Sequence, residues 1–268
     1  MVSRKLPILR LGDGIDFPDL KDEVIELQQK LGLLADDINS KFGPATEAAV
    51  KRFQSDKGLI VDGVVGHTTW TALLNEVVEV FTPYPHIVGS FDVDKILASI
   101  PFPNIRSNAC TSVPIILNEC LASEVTDRGQ IAYILATAEH ESHLGEFIVE
   151  LANGWDYEGK IKLGNIEPGD GPRFKGRGYV QIIGRRIYTY WSNRLGVDLV
   201  DNPDKVTEPS IAAKILVQGM RDGTFTGLRL GNFINGANPD FVNARRIVNY
   251  LDRANKIAAI AKEYLKVL

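Results

Sequence analysis

Residues 131–145 read Ile131-Ala-Tyr-Ile-Leu-Ala-Thr-Ala-Glu-His-Glu-Ser-His-Leu-Gly145, and this stretch decides the fold of the region around it. It begins with apolar side chains at positions i, i+3, i+4 and i+7, which is the spacing of one buried helix face. Within one turn the sequence then changes to ionisable residues, namely Glu139, His140, Glu141 and His143. The pattern predicts a core helix over 127–143 that ends in a cluster of titratable groups, with a glycine as its stop.

Glu141 is the member of this cluster that we expect to be chemically active. It follows Ile134 by seven residues, so it projects from the edge of the apolar face. Its carboxyl group would be partly desolvated and close to the negative end of the helix dipole, and both effects favour the protonated acid. A protonated carboxylic acid can protonate a leaving group. Glu139, like most glutamates near a helix end, is expected to be solvated.

The composition narrows the class of protein. A chain of 268 residues with 44% apolar and 24% charged residues is long enough for one large or two ordinary globular domains. Residues 1–80 hold nine Lys and Arg against thirteen Asp and Glu, and residues 81–268 hold 21 of each. This balance, without a basic stripe, argues against nucleic acid as a partner. We expect a monomer.

The sequence also bears on where the protein acts. No apolar run approaches the length of a membrane span. The N-terminus carries basic residues without the long apolar core of a secretory signal. We therefore expect synthesis in the cytoplasm without a signal peptide, and delivery by another route if the substrate lies outside.

The first eighty residues predict three short helices that close a small core. The first is expected at 21–31 and the second at 45–57, and the third opens at His67 and ends near Leu74. Each of the last two helices is preceded by the same pattern, an apolar residue followed by Gly-x-x-Thr. The two helix starts are therefore expected to be built alike.

Residues 8–75 resemble the type 1 peptidoglycan-binding domain. The matching motifs are Leu11-Gly12-Asp13-Gly14, Val24-x-x-Leu27-Gln28-x-x-Leu31, Phe42-Gly43-x-x-Thr46, Ala49-Val50-x-x-Phe53-Gln54, Gly58-Leu59-x-x-Asp62-Gly63 and Gly66-x-x-Thr69-Trp70. The resemblance implies a non-catalytic module at 1–78 that holds cell-wall glycan or stem peptide. Residues 79–90, with two prolines, are expected to be a linker.

The second half mixes helices with one irregular segment. Residues 144–180 are rich in Gly, Asn, Asp and Pro and show little periodicity, which predicts a loop-and-hairpin lobe. Loops beside a rigid helix are common places for a site. Residues 241–268 are predicted to form one long amphipathic helix.

Residues 90–268 resemble the family 19 glycoside hydrolases and their endolysin relatives, within the lysozyme-like superfamily. The motifs are His140-Glu141-Ser142, Tyr157-Glu158-Gly159, Leu163-Gly164-Asn165, Gly169-Asp170-Gly171, the segment from Phe174 to Ile182, Asn202-Pro203-Asp204 and Phe233-Ile234-Asn235-Gly236. The resemblance implies a lysozyme-like α+β domain at 91–268. The fold class expected for the whole chain is mainly α, with a small loop or hairpin lobe.

The resemblance also implies roles for single residues. Glycosidic cleavage needs two carboxyl groups. The match places the acid at Glu141 and leaves Glu150 and Glu158 as candidates for the second carboxyl, with Glu150 favoured by its nine-residue spacing. The remaining implied residues contact or orient the substrate: Gln181 and Asn235 as amides, Tyr179 as a sugar-facing wall or a core residue, and His140 through a hydrogen bond. No cofactor is implied.

Two positions depart from the family pattern. A hydroxyl residue is replaced by Ile183 and an asparagine by Ile187. The interpretation is a cell-wall lytic enzyme that cleaves β-1,4 bonds of peptidoglycan, and the departures leave open a lytic transglycosylase or a non-catalytic wall-binding protein. A chitinase on the same fold is the other alternative. Zinc catalysis is disfavoured because His140 and His143 are three residues apart, whereas a zincin motif needs four.

Overall fold

The computed structural model describes residues 4–14, 18–81 and 83–268. Parts of the predicted first domain (1–3 and 15–17) and Thr82 of the predicted linker lie outside the described residues. The chain divides into two compact units, Met1–Tyr84 and Pro85–Leu268. The predicted linker 79–90 is thus shared between the two units, since its first part is a strand of the first unit and a later part is a strand of the second.

The first unit contains three α-helices and one parallel strand pair in its described part. The strands are β1 (Lys5–Pro7) and β2 (Glu79–Phe81), and the helices are α1 (Lys21–Lys30), α2 (Pro44–Asp56) and α3 (His67–Leu74). Leu9, Leu27, Phe42 and Trp70 are fully buried at the centre of the core. The Trp70 indole also donates a hydrogen bond of 2.8 Å to the carbonyl of Pro7.

Two buried glutamines organise the two alike helix starts. The Gln28 amide donates to the hydroxyl of Thr46 at 2.9 Å and to a loop carbonyl, and its oxygen accepts from two loop amides. Gln54 repeats this arrangement with the hydroxyl of Thr69 at 3.2 Å and the amide of Gly63 at 2.9 Å. Each glutamine thus pairs with loop backbone groups through both its side-chain nitrogen and its side-chain oxygen. The expected similarity of the two helix starts is therefore present in their hydrogen bonding.

The second unit is mainly helical and is built around one buried helix. Its elements are the hairpin β3 (Ile87–Val88) and β4 (Phe91–Asp92), then α4 (Val93–Ser99), α5 (Pro103–Ala122), α6 (Arg128–Ser142), α7 (Asp170–Arg173), α8 (Arg185–Leu195), α9 (Pro209–Asp222) and α10 (Ala254–Val267). Every residue of α6 from Ile131 to Glu139 is buried, and the helix packs against α5, α9 and α10. The mainly α fold class is confirmed.

Two element predictions need correction. The long helix predicted at 241–268 begins only at Ala254, because Arg253 has a left-handed backbone (φ 54°) that a helix interior does not accept. The lobe at 144–180 is irregular as predicted. It holds short 3-10 turns and isolated antiparallel bridges, such as Val149 with Arg177, instead of a regular hairpin.

Within the described ranges, none of the helices is long and apolar enough to cross a membrane.

Candidate active site

The site is built at the C-terminal end of α6. Asp127 caps the start of this helix by accepting a hydrogen bond from the amide of Gln130 at 3.0 Å. The helix ends at Ser142, because the next two residues, His143 and Leu144, both have positive φ values (49° and 54°). Left-handed backbone is costly for residues other than glycine, and such strain often clusters at functional sites. The chain thus turns sharply after Ser142, the residue that follows Glu141.

Glu141 forms an ion pair that sequence analysis did not anticipate. Its Oε1 accepts a hydrogen bond from Nη1 of Arg245, which lies in a short 3-10 helix (Asn243–Ile247). The Arg245 side chain is 4% exposed and the Glu141 side chain 20%. The Arg245 Nε also donates to the carbonyl of Asp252 at 3.1 Å, which fixes the guanidinium. The carboxyl group of Glu141 therefore lies beside a buried guanidinium, and its environment differs from the purely desolvated one predicted.

Glu139 has the environment that was expected for Glu141. It is 6% exposed, so the prediction of a solvated Glu139 is wrong. The hydroxyl of Tyr264 on α10 donates to its Oε2 at 2.5 Å. Burial is the main reason why the pKa of Glu139 is raised above its ordinary value. The group lines a cavity of 610 Å³ together with Tyr264 and His140.

His140 does not make the orienting hydrogen bond predicted for it. Its Nδ1 is buried and has no hydrogen-bond partner in the described part of the chain. Desolvation lowers the pKa of the imidazole, which therefore favours the neutral form. The ring faces the same cavity as Glu139.

Glu150 is held by two donors from the irregular lobe. The hydroxyl of Tyr157 donates to its Oε1 at 2.8 Å, and the amide of Gly176 donates to its Oε2 at 2.9 Å. Desolvation first, then the hydrogen bond to Glu150, raises the pKa of Tyr157 to about 12, so the phenol remains a donor at neutral pH. The carboxylate is half-buried and fixed in orientation.

Gln181 lies beside Glu150. A Cβ atom placed on Gly176 would be 2.7 Å from Oε1 of Gln181 and 3.1 Å from Oε2 of Glu150. The amide nitrogen of Gln181 donates to the carbonyls of Phe147 and Gly178 at 3.1 and 2.9 Å. Its backbone is left-handed (φ 54°). The structure therefore brings together Glu150 and Gln181, two of the predicted site residues, across a glycine that leaves no room for a side chain.

Glu158 has a different kind of environment. Its two carboxylate oxygens accept from the amides of Gly169 and Gly171, each at 2.8 Å, so it ties two parts of the lobe together. The buried Asp170 does the same through the guanidinium of Arg185, with contacts of 2.5 and 2.8 Å. The hydrogen bond from Arg185 is the main reason why the pKa of Asp170 is lowered. Both carboxylates brace the lobe.

The two remaining predicted substrate residues are not placed at the site. Tyr179 is 2% exposed, so its ring belongs to the core and not to a sugar-facing wall. Asn235 lies in a loop whose neighbouring Gly236 amide contacts Asp127 at 3.4 Å. Asp127 precedes α6 and Glu141 is near its end, about 20 Å apart at 1.5 Å per residue. The structure therefore does not bring Asn235 to Glu141.

Sequence reasoning missed Arg245, Tyr264 and Tyr157, all of which bind a glutamate of the site. Arg245 and Tyr264 lie 104 and 125 positions from their partners, whereas Tyr157 lies seven positions from Glu150 and belongs to a quoted motif. In the described ranges there is no group of three or more His, Cys, Asp or Glu side chains arranged to hold a metal ion.

Two curated relatives match part of this chain. Over 71 residues, 26% of this chain and 58% of the relative, the chain is 41% identical to the "Uncharacterized protein in bpoA1 3'region" of Kitasatospora aureofaciens. Over 36 residues, 13% of this chain and 14% of the relative, it is 53% identical to the zinc D-Ala-D-Ala carboxypeptidase of Streptomyces albus G. The matches thus span well under two thirds of either relative.

Two solved chitinases are also similar. Chitinase C from Streptomyces griseus HUT6037 is 19% identical with a TM-score of 0.31, over 63% of this chain and 68% of that one. A bacterial family 19 chitinase is 18% identical with a TM-score of 0.29, over 66% and 90% of the two chains. These scores are too low to assign an activity. The stronger finding concerns the first unit: residues 20–73 match the family described as "Putative peptidoglycan binding domain", which confirms the resemblance found in the motifs of residues 8–75.

Proposed function

We propose that this protein is a cell-wall hydrolase that cleaves β-1,4 glycosidic bonds of the peptidoglycan glycan strand. In this proposal residues 1–78 bind the wall, 79–90 link the parts, and 91–268 carry the catalysis. One observation carries it: a chain whose residues 20–73 match a peptidoglycan-binding family also presents two oriented, half-exposed glutamates, Glu141 and Glu150. A weak wall-binding module raises the local concentration of a catalytic unit on an insoluble substrate.

The reaction assigns one task to each glutamate. Glu141 gives a proton to the glycosidic oxygen as its bond to the anomeric carbon breaks, and Arg245 keeps the carboxyl in position. Glu150 takes a proton from the water whose oxygen bonds to that carbon, so the net change is the addition of one water. Tyr157 and Gly176 fix Glu150, and the oxygen of Gln181 beside it can hold the water.

Hydrogen bonding supports Glu150 over Glu158 as the second carboxyl. Both oxygens of Glu158 are engaged by backbone amides that close the lobe, a role that a structural carboxylate performs. Glu150 is held by a phenol and one amide beside a half-exposed glutamine. We therefore expect E150Q to lower kcat by about 100-fold or more with little change in stability. E158Q should instead lower the melting temperature, and equal loss of kcat with unchanged stability in E158Q would reverse the assignment.

A lytic transglycosylase is the second candidate, and Ile183 is the observation that favours it. This half-buried isoleucine lines two cavities near Gln181 and offers no hydroxyl to a water. In that reaction a hydroxyl of the sugar attacks in place of water. The two products differ in mass by one water.

Digestion of purified peptidoglycan followed by mass spectrometry tests the proposal. We expect fragments with reducing ends, and anhydro ends would establish the transglycosylase instead. A parallel digestion of chitin tests the chitinase alternative, since a chitinase would release fragments from chitin. If the full chain binds walls but releases no fragments, the proposed catalytic function is refuted. The protein would then be a wall-binding protein only.

A further inference from the structure

Three neighbouring cavities of the second unit form one surface groove. The first, of 520 Å³, shares Leu163 and Ile183 with the second, of 490 Å³. The second shares Phe225 and Val248 with the third, of 810 Å³. We call this continuous surface the basic groove.

The charges along the groove have one sign. Its lining contains four basic side chains, all exposed: Lys160, Lys162, Arg186 and Arg246. No Asp or Glu lines it among the residues that the structure describes. Residues 81–268 contain equal numbers of acidic and basic residues, so this separation of charge is a local property of the fold. The 610 Å³ cavity beside Glu139 differs, since two glutamates line it together with one lysine.

The two arginines are available to a ligand. Neither Arg186 nor Arg246 has a carboxylate within 4.0 Å or a side-chain hydrogen bond within the described ranges. Hydrogen bonds from Asn243 are the main cause of the lowered pKa of Asp240, and the charge of Arg246 adds to it, but Asp240 does not line the groove. A guanidinium with free donors pairs with carboxylates in a planar, two-pronged geometry.

The groove adjoins the proposed catalytic residues. Tyr157, which lines the first cavity, donates to Glu150, and Gln181, which lines the second, lies beside it. Arg246 directly follows Arg245, the partner of Glu141. A strand bound in the groove would therefore pass close to Glu150.

Apolar and aromatic walls complete the groove. Ile183, Ile187, Tyr190 and Tyr250 line it, with Tyr250 87% exposed. Sugar rings and the methyl groups of acyl and alanyl substituents can pack on such walls. The lining thus offers apolar contact along its length and positive charge at intervals.

We propose that the basic groove binds the glycan through the carboxylates of its stem peptides, and that Arg186 and Arg246 make this selection. The proposal rests on the proposed function and narrows its substrate to an anionic, peptide-bearing strand. A neutral polymer such as chitin offers no anionic partner to the four exposed cations. Complementary charge steers a ligand to a groove and favours it over a neutral competitor.

The test compares full-length wild type with R186Q, R246Q and the double variant. The substrates are peptidoglycan freed of teichoic acid, and the same glycan after an amidase has removed its stem peptides and the lactyl carboxylates left by that hydrolysis have been converted to neutral methylamides. R128Q is the matched control, because Arg128 is an exposed arginine of the same unit that lines none of the cavities described above. Rates and binding of soluble strands are both measured at low ionic strength.

On stem-bearing strands, each arginine variant should raise KM by about 2- to 5-fold and the double variant by about 10-fold, since exposed charge contacts are individually weak. On stripped strands all variants should match wild type, and R128Q should match it on both. Equal effects on both substrates, or equal wild-type affinity for both, would overturn the proposal.

The binding measurement separates this proposal from the proposed function. If wild type cuts neither substrate, the catalytic proposal fails, yet the affinities still decide whether the groove selects stem peptides. Both arginines lie outside residues 20–73, so the wall-binding segment contributes equally in every variant.

Discussion

Glu139 and Glu141 lie two positions apart on the last turn of α6 and face different neighbours. At about 100° per residue they point some 200° apart around the helix. Glu139 faces Tyr264 and the 610 Å³ cavity, where burial raises its pKa. Glu141 faces a buried arginine and remains partly exposed. The comparison teaches that a carboxyl group can be desolvated without lying at the proposed reaction centre.

The largest expected effect comes from neutralising each glutamate in turn. E141Q should lower kcat on peptidoglycan by about 100- to 10,000-fold, the range for loss of a general acid. E139Q should stay close to wild type, because Glu139 faces the other side of the helix. Both proteins should still bind cell walls. Release of reducing ends measures the rates, and loss of activity in E139Q with retention in E141Q would exchange the two roles.

The next largest effects should come from substituting the residue that pairs with each glutamate. R245Q removes the group that orients Glu141 and should lower kcat by about 10- to 100-fold, since small misplacements of a reacting group are costly. Y264F leaves Glu139 buried without its donor, which should cost about 1–3 kcal/mol of unfolding free energy with less than about a threefold change in rate. Steady-state kinetics and denaturant titration measure the two quantities. A large kcat loss in Y264F would show that the two faces are coupled.

The smallest expected effect is the contribution of Glu139 to the pH dependence of the unfolding free energy. Burial raises the pKa of Glu139 above its ordinary value of 4.5, and Tyr264, His143 and Lys256 are the neighbours that act on it. The resulting stabilisation is fully present below pH 4.5 and is lost as the pH rises through the folded-state pKa. E139Q cannot ionise at this position. Its unfolding free energy, relative to that of wild type, should therefore increase as the pH rises, by at most about 1.4 kcal/mol per pH unit.

Denaturant titrations between about pH 4 and 8 measure this gain. His140, whose pKa is lowered by burial, acts in the opposite direction in both proteins and cancels in the difference. E141Q is the control, since it removes a carboxyl from the same turn. The comparison would be contradicted if the difference in unfolding free energy between E139Q and wild type did not change with pH. It would also be contradicted if E141Q showed the same increase as E139Q.

Much of the helical framework was predictable because its signals are local. The bounds of α1, α2, α3 and α6 agree with prediction to within about two residues, which is the usual uncertainty of helix ends. The start of α10 was not predictable from periodicity. The apolar spacing continues back to residue 241, and only the left-handed Arg253 shows where the helix begins.

By itself, the sequence determined the wall-binding motifs, the buried helix α6 and the identity of the ionisable residues at its end. These follow from spacing within a single element. Only the tertiary structure decided which glutamate is desolvated, which is paired, and which basic residues share a groove. Arg245 and Tyr264 lie 104 and 125 positions from the glutamates they bind. The electrostatic environment of each glutamate depends on these distant partners. The spacing of residues along a helix gives no information about them.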